Sequence, residues 1–426
     1  MKDIAVKLPF GSRFIEIEVP RRNLTSIVEP RQVQAVVDST VEAERALRNP
    51  IGEERISNLI KKRSKVVILS EDNTRPTPVK EILPAILKEL NGCGVKDEDI
   101  TAIMALGTHR PMTGKEMHKK LGEEIAERIE VVNHQCEDPE SLDDLGKTSK
   151  GTPIFINKTA LKADFIIGVG MICPHRVAGY GGGAKIVQPG ISGKVTTGHT
   201  HWMSALYESE KIMGTEQNPV REEMNEIASK AKLSFIINAV LNREGRIVKA
   251  FAGDFIKAFK EGVRESREVW EVNVQEKADI VIADSHPADI DMWQAAKGIY
   301  ASDLIIKPGG TIILITPCWE GVSKQHPQVL KFGYRPFNEL KKLVERKEIT
   351  DLVAAAHMAH VGRVVREKAK CILVSEGIPE SDALKLGFDY AKTPQEAING
   401  ALHDYGSKAR VIVIKESSEL MPIAGS

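Results

Sequence analysis

The chain has 426 residues, 42% of them apolar and 28% charged, the balance of a packed globular protein and more than one ordinary core accommodates, so two domains are expected. Lysine plus arginine and aspartate plus glutamate both number 59, which excludes a molecule-wide field for nucleic acid or for an anionic membrane surface. Any anion bound here has to be held by a local cluster.

In chain order, residues 4–8 and 14–19 alternate apolar and polar side chains around Gly11-Ser12, which predicts a β-hairpin. After it, short β-branched runs alternate with longer amphipathic stretches, the pattern of α/β architecture with a largely parallel sheet. Strands are predicted over 66–70, 101–106, 165–169, 235–240, 280–283, 311–316, 371–375 and 411–414. Helices are predicted over 78–90, 114–129, 219–230, 256–270, 287–302, 337–346 and 394–403. The seam falls where a charged helix ends and ADIVIADSHP begins a fresh strand–turn–helix unit. This gives an N-terminal domain of residues 1–273 and a C-terminal one of 274–426, leaving open whether the last strand returns to the first domain.

The opening residues lack the basic start, apolar core and cleavage site of a secretory leader, and no apolar run is long enough to cross a bilayer. Five scattered cysteines (Cys93, Cys136, Cys173, Cys318 and Cys371) include no CxxC pair. A cytoplasmic protein with reduced thiols is expected, without a disulfide framework or structural zinc.

Ligands of open α/β sheets bind beyond the carboxyl ends of the strands. Ionisable segments stand at four such places: Glu71-Asp72-Asn73-Thr74-Arg75, Gly107-Thr108-His109-Arg110, Met171 to Lys185, and Asp284-Ser285-His286. The third contains CPHRVAGYGGGAKIVQPG, in which Gly179, Gly181, Gly182 and Gly183 permit positive φ and close backbone approach. Exposed N–H groups there would make an anion nest, although neither GxxxxGK[ST] nor GxGxxG is matched. A flexible surface loop is the competing account. Lys185 ends the glycine run, and a lysine buried beside bare backbone loses its proton and becomes a nucleophile.

His199 and His201 would share a face in an extended segment and suit a metal, but no third ligand lies at a familiar spacing. One solvent histidine and one packed on Trp202 explain the pair equally well. His109 and His175, each in a loop after a strand, could exchange protons near neutrality; each could equally be a satisfied structural residue. Arg75 and Lys297 are candidates for holding a carboxylate or phosphate. His357 and His360, at i and i+3 on a helix, read as structural or partly exposed, and Cys318-Trp319-Glu320 receives no role.

Together these segments resemble the nickel-dependent lactate racemase family over nearly the whole chain. The resemblance is carried by EDNTRPTP, LGTHRPMT, CPHRVAGYGGGAKIVQPG, GHTHW, NREGRI and WQAAKG, in this order and spacing. It implies two α/β domains with Rossmann-like, largely parallel sheets and helices on both faces, with the active site in the cleft between them. It also implies a nickel-pincer nucleotide (nickel pyridinium-3,5-bisthiocarboxylic acid mononucleotide), loaded by maturation enzymes encoded elsewhere. By the resemblance, Lys185 carries this cofactor as a thioamide among Gly181, Gly182 and Gly183. His201 rather than His199 ligates nickel, and His109 and His175 are the acid/base pair. Arg75, Gln294 and Lys297 line the cofactor and substrate pocket, and Asp72 is a partner of Arg75.

The implied reaction inverts C2 of a small 2-hydroxy acid by proton-coupled hydride transfer, with nickel tuning the cofactor. Trp293 stands where a lactate-acting member has tyrosine, and His357-Met358-Ala359-His360 stands where a tryptophan is expected. Both bear on substrate size, so malate or another larger 2-hydroxy acid is the alternative substrate. The competing functions are a metallohydrolase built on His109, His175, His199 and His201, and a non-catalytic anion-binding protein built on the glycine loop.

Overall fold

The β-branched runs become the strands of two six-stranded sheets in a computed structural model that describes residues 3–425. Each sheet belongs to a separate unit. The loop unit comprises Arg31–Thr200 and Gly214–Val269. The terminal unit comprises the residues up to Pro30, His201–Met213, and the chain from Trp270 onward.

In the loop unit the strand order is Ile247–Gly253, Phe235–Leu241, Phe165–Met171, Val66–Glu71, Ile100–Ala105, Glu130–Asn133. All neighbours are parallel except the first pair. The chain leaves Val66–Glu71 toward one edge, then returns through Phe165–Met171 on the other side. The winding direction therefore reverses between these two strands, which opens a crevice at their carboxyl ends. The helix Val79–Gly92 buries Val79, Ile82, Leu83, Ile86, Leu87 and Leu90, an i, i+3, i+4 stripe. Each such side chain contributes roughly 1.5–3 kcal/mol of burial. The helix predicted over 114–129 is two helices, Gly114–Leu121 and Glu123–Arg128, because Gly122 takes φ +92° between them.

The terminal unit is ordered Asp389–Tyr390, Lys370–Val374, Ile306–Ile315, Ala278–Ala283, Val411–Ile414, Leu24–Val28, parallel throughout. Alternate residues of its strands serve opposite faces. Ile280, Ile282, Ile313, Ile315, Val411 and Val413 pack against Leu8, Ile17 and Val19 of the hairpin Ile4–Phe10/Arg13–Val19. Val281, Ala283, Ile312, Leu314, Ile412 and Ile414 pack against the helices Met292–Ile305 and Leu352–Gly362.

This composition differs from two consecutive domains of residues 1–273 and 274–426. Leu24–Val28 pairs with Val411–Ile414, so the opening residues join the sheet of the terminal unit. Met421–Ala424 pairs with Glu271–Val274, so the last strand also stays in that unit. Gly198–Trp202 is helical rather than extended, within Lys194–Ala205. Two residues along a helix turn by about 200°, so His199 and His201 leave it on opposite sides. Among the described residues no helix is long and apolar enough to cross a membrane.

Candidate active site

The crevice end of Val66–Glu71 is built around Asp72. This carboxylate is 4% exposed and accepts from the Thr74 N–H at 3.0 Å and the Thr74 hydroxyl at 2.6 Å, both on Oδ1. Its Oδ2 lies 2.6 Å from Nδ1 of His109. Burial pushes the Asp72 carboxyl up, but the His109 interaction, the Arg75 charge and the Thr74 hydroxyl outweigh it and hold it well below the usual range. The Asp72 carboxylate thus meets His109 and Thr74 directly, and the Arg75 charge also acts on it. The Arg75 guanidinium donates to the Thr74 hydroxyl at 3.1 Å.

Lys120 holds this loop from behind, donating to the carbonyls of Arg75 (2.7 Å) and Thr77 (2.9 Å), and burial lowers its amine to about 8. Glu71 accepts from the Thr77 hydroxyl and from the Met171 N–H at 3.0 Å, tying the ends of two neighbouring strands together. Gly107, at φ +57°, begins the turn to His109 and donates to the Gly190 carbonyl at 2.9 Å. Arg110 turns away into a bidentate pair with Glu116, at 2.6 and 2.9 Å.

The glycine-rich segment folds as a short antiparallel pair, Pro174–His175 with Gly179–Tyr180, followed by a 3-10 turn at Gly183–Ile186. Two of its N–H groups are taken up within the protein. Gly181 donates to the Cys173 carbonyl at 2.7 Å and Gly183 to Oδ1 of Asn238 at 2.7 Å. The glycines answer to protein packing. A Cβ on Gly182 would lie 2.7 Å from Ile172 and 2.8 Å from Asn238, and one on Gly183 would lie 3.0 Å from Phe259; both residues also take positive φ.

The segment is braced by Arg221, 2% exposed, which the sequence reading did not single out. Its guanidinium donates to the carbonyls of Ala178 (3.1 Å), Gly182 (3.0 Å) and Tyr180, and lies 4.3 Å from the Phe259 ring centroid. Burial lowers it to about 9. In PVREEM it looks like any surface arginine on an amphipathic helix, so only the fold reveals its role.

Lys185 keeps a small exposed edge, yet burial first, and then the charge of Arg75, lowers its amine to about 8 against the opposing pull of Glu71. His175 accepts from the N–H groups of Val177 (3.1 Å) and Ala178 (3.4 Å) at its Nδ1. The loop unit therefore gathers Asp72, Arg75, His109, His175 and Lys185 at the ends of three adjacent strands.

Trp293, Gln294, Lys297 and His201 belong to the terminal unit. The first three open the helix Met292–Ile305, where Asp291 caps by accepting from the Gln294 N–H at 2.8 Å. Trp293 and Lys297, four residues apart, share one face. The indole of Trp293 is stacked between His326 (centroids 4.1 Å apart) and His357 (4.2 Å). His326 meets Asp351 at 2.9 Å, and His357 meets the Tyr334 hydroxyl at 3.0 Å while burial lowers its imidazole to about 3. His360 meets the Ser204 hydroxyl at 2.9 Å, and that hydroxyl also lies 2.6 Å from the His201 carbonyl. Both helical histidines are buried rather than partly exposed.

The pattern described as the lactate racemase N-terminal domain matches residues 10–214, and that of the lactate racemase C-terminal domain matches 273–421. A lactate racemase from Lactiplantibacillus plantarum is 30% identical over 97% of this chain and 98% of its own length. One from Thermoanaerobacterium thermosaccharolyticum is 33% identical over 74% of this chain and 75% of its own. The structure of a lactate racemase apoprotein from the latter organism superposes with TM-score 0.88 and 28% identity, covering 98% of this chain and all of that one. A crystal structure of a Thermotoga maritima protein, at 22% identity and TM-score 0.74 over 93% of this chain, shares the fold. These matches define the class: an α/β isomerase that acts as a racemase. More particularly, the chain belongs to the lactate racemase family.

Proposed function

We propose that this chain inverts the C2 centre of a small 2-hydroxy acid of the lactate type, using a nickel-pincer nucleotide carried on Lys185. The observation that carries this reading is the buried Lys185 amine, lowered to about 8 and within the electrostatic reach of Arg75 and Glu71 at the end of a neighbouring strand. At pH 7 about a tenth of such an amine is neutral and able to form a bond, against fewer than about one in a thousand for a free lysine.

The donor set fits the same group. Among the described residues no three His, Cys, Asp or Glu side chains gather to hold a metal. A single histidine, His201, suits a nickel whose other ligands arrive with the nucleotide, and a hydrolase metal held by protein side chains is disfavoured. When bound, the group supplies a hydride acceptor and donor for the substrate's α-carbon. The chain's own part is orientation and proton transfer. His109, its Nδ1 engaged by Asp72, presents Nε2 toward the hydroxyl proton, and His175 is the other member of the acid/base pair. Arg75, Gln294 and Lys297 hold the carboxylate, and Trp293 walls the C2 substituent. Asp72 and the glycines Gly181, Gly182 and Gly183 support the cofactor side.

The test is intact-protein mass spectrometry with metal analysis, on protein co-expressed with the maturation enzymes, beside Lys185→Ala. A mass of cofactor size accompanied by nickel, absent from the variant, is expected, together with interconversion of D- and L-lactate. A protein without the adduct that still racemises a substrate would sink the reading.

A further inference from the structure

The two histidines at the crevice are held by different kinds of neighbour. At His175, Nδ1 faces two backbone N–H groups, those of Val177 at 3.1 Å and Ala178 at 3.4 Å. An N–H group can only donate, so this nitrogen must carry the lone pair, and the single proton of a neutral imidazole is left on Nε2. Protonating Nδ1 as well would turn an N–H against two others, with the loss of both hydrogen bonds. At His109 the same ring nitrogen faces Oδ2 of Asp72 at 2.6 Å. The other oxygen of that carboxylate already accepts from the N–H and hydroxyl of Thr74. An ionised carboxylate only accepts, so Nδ1 of His109 carries a proton, and in the neutral imidazole its Nε2 is left with the lone pair.

We infer that His109 and His175 rest in opposite tautomers, His109 as a proton acceptor at Nε2 and His175 as a donor there, with the Val177–Ala178 turn as the device that positions His175. The pair is therefore not symmetric. His109 can take a hydroxyl proton as it stands. His175 can do so only after its own proton leaves Nε2 and the turn releases Nδ1. This last consequence rests on the racemase reading; the tautomers themselves do not.

The protein without cofactor suffices for the test. Long-range proton–nitrogen correlation spectra of ¹⁵N-histidine-labelled protein distinguish pyrrole-type from pyridine-type ring nitrogens, and His109→Gln and His175→Gln assign the two residues by loss of their signals. We expect His175 with a pyridine-type Nδ1 and pyrrole-type Nε2, and His109 with the reverse. In Asp72→Asn the His109 signals should shift toward a mixture of tautomers while those of His175 stay in place. A pyrrole-type Nδ1 at His175 would overturn the inference, as would the same tautomer at both residues. So would an Asp72→Asn spectrum in which His175 moves and His109 does not. Absence of racemase activity in the loaded protein would leave these signals untouched and count only against the function proposed above.

Discussion

Asp72 and Asp284 occupy matching places in the two units. Each is the first residue after a central strand, Val66–Glu71 in one sheet and Ala278–Ala283 in the other. Both strands lie where the winding of their sheet reverses. Both carboxyls are buried, at 4% and 0% exposure, but their neighbours differ. Asp72 faces a side chain, His109, and a threonine hydroxyl. Asp284 faces the chain itself, accepting from the N–H groups of Glu416 and His286, both at 2.9 Å, and of Ser417. Burial pushes Asp284 up to about 7 in spite of those bonds, while the His109 interaction holds Asp72 down. One topology thus makes a carboxylate–imidazole pair in the loop unit and a backbone lock in the terminal unit. What decides between them is whether the loop after the neighbouring strand brings an imidazole or a run of amides.

On the proposed function, the largest effect is expected at the side chains assigned to cofactor attachment and proton transfer. Lys185→Ala should abolish the adduct and turnover together, measured by intact mass and a chiral lactate assay. His109→Gln should lower kcat by about 10²–10⁴-fold with a smaller change in KM, since it removes proton transfer and leaves the carboxylate-holding groups in place.

Next in size is the brace. Arg221→Met deletes a buried cation and strands three carbonyls of the glycine segment. We expect a loss of about 3 kcal/mol in urea unfolding, and an unchanged midpoint would refute the bracing role.

The two aspartates should then part company in pH. The folded form of Asp284 binds its proton more tightly than the unfolded chain does, so between about pH 4 and 7 its contribution to stability falls as pH rises. Asp72 has the opposite sign: its contribution is present above about pH 4 and is lost as the solution is acidified below that. Unfolding free energies across pH should show Asp284→Asn flattening the first window, on the order of 4 kcal/mol, and Asp72→Asn flattening only the acid side.

Trp293→Tyr should have the smallest effect. It trades the stacked indole for a smaller ring and should shift KM between lactate and a bulkier 2-hydroxy acid by about 10-fold or less, with kcat nearly unchanged.

The central strands were legible because each is a run of β-branched residues buried on both faces, as at Val66–Glu71, Phe165–Met171 and Val411–Ile414. Leu24–Val28 and Glu130–Asn133, at the sheet edges, alternate with polar residues or are only half-buried, and carry no comparable signal. The candidate residues were legible as ionisable groups after strands, but their partnerships were not. That Asp72 reaches His109, 37 residues away, depends on the adjacency of two strands, which pattern alone does not give. Gly181 and Gly183 suggested exposed amides, and only the positions of Cys173 and Asn238 reveal that protein acceptors use them.

The pairing of Leu24–Val28 with Val411–Ile414 carries a consequence for synthesis. Translation proceeds from the amino end, and domains tend to fold as they emerge. All of the loop unit is present once Val269 has left the ribosome, whereas Leu24–Val28 must wait for Val411–Ile414, made later still. Through that interval Leu24–Val28 is an unpaired edge, the kind of element on which nascent chains associate wrongly. Its exposed positions are therefore where slow translation or a shortage of holding chaperones would first lower the yield.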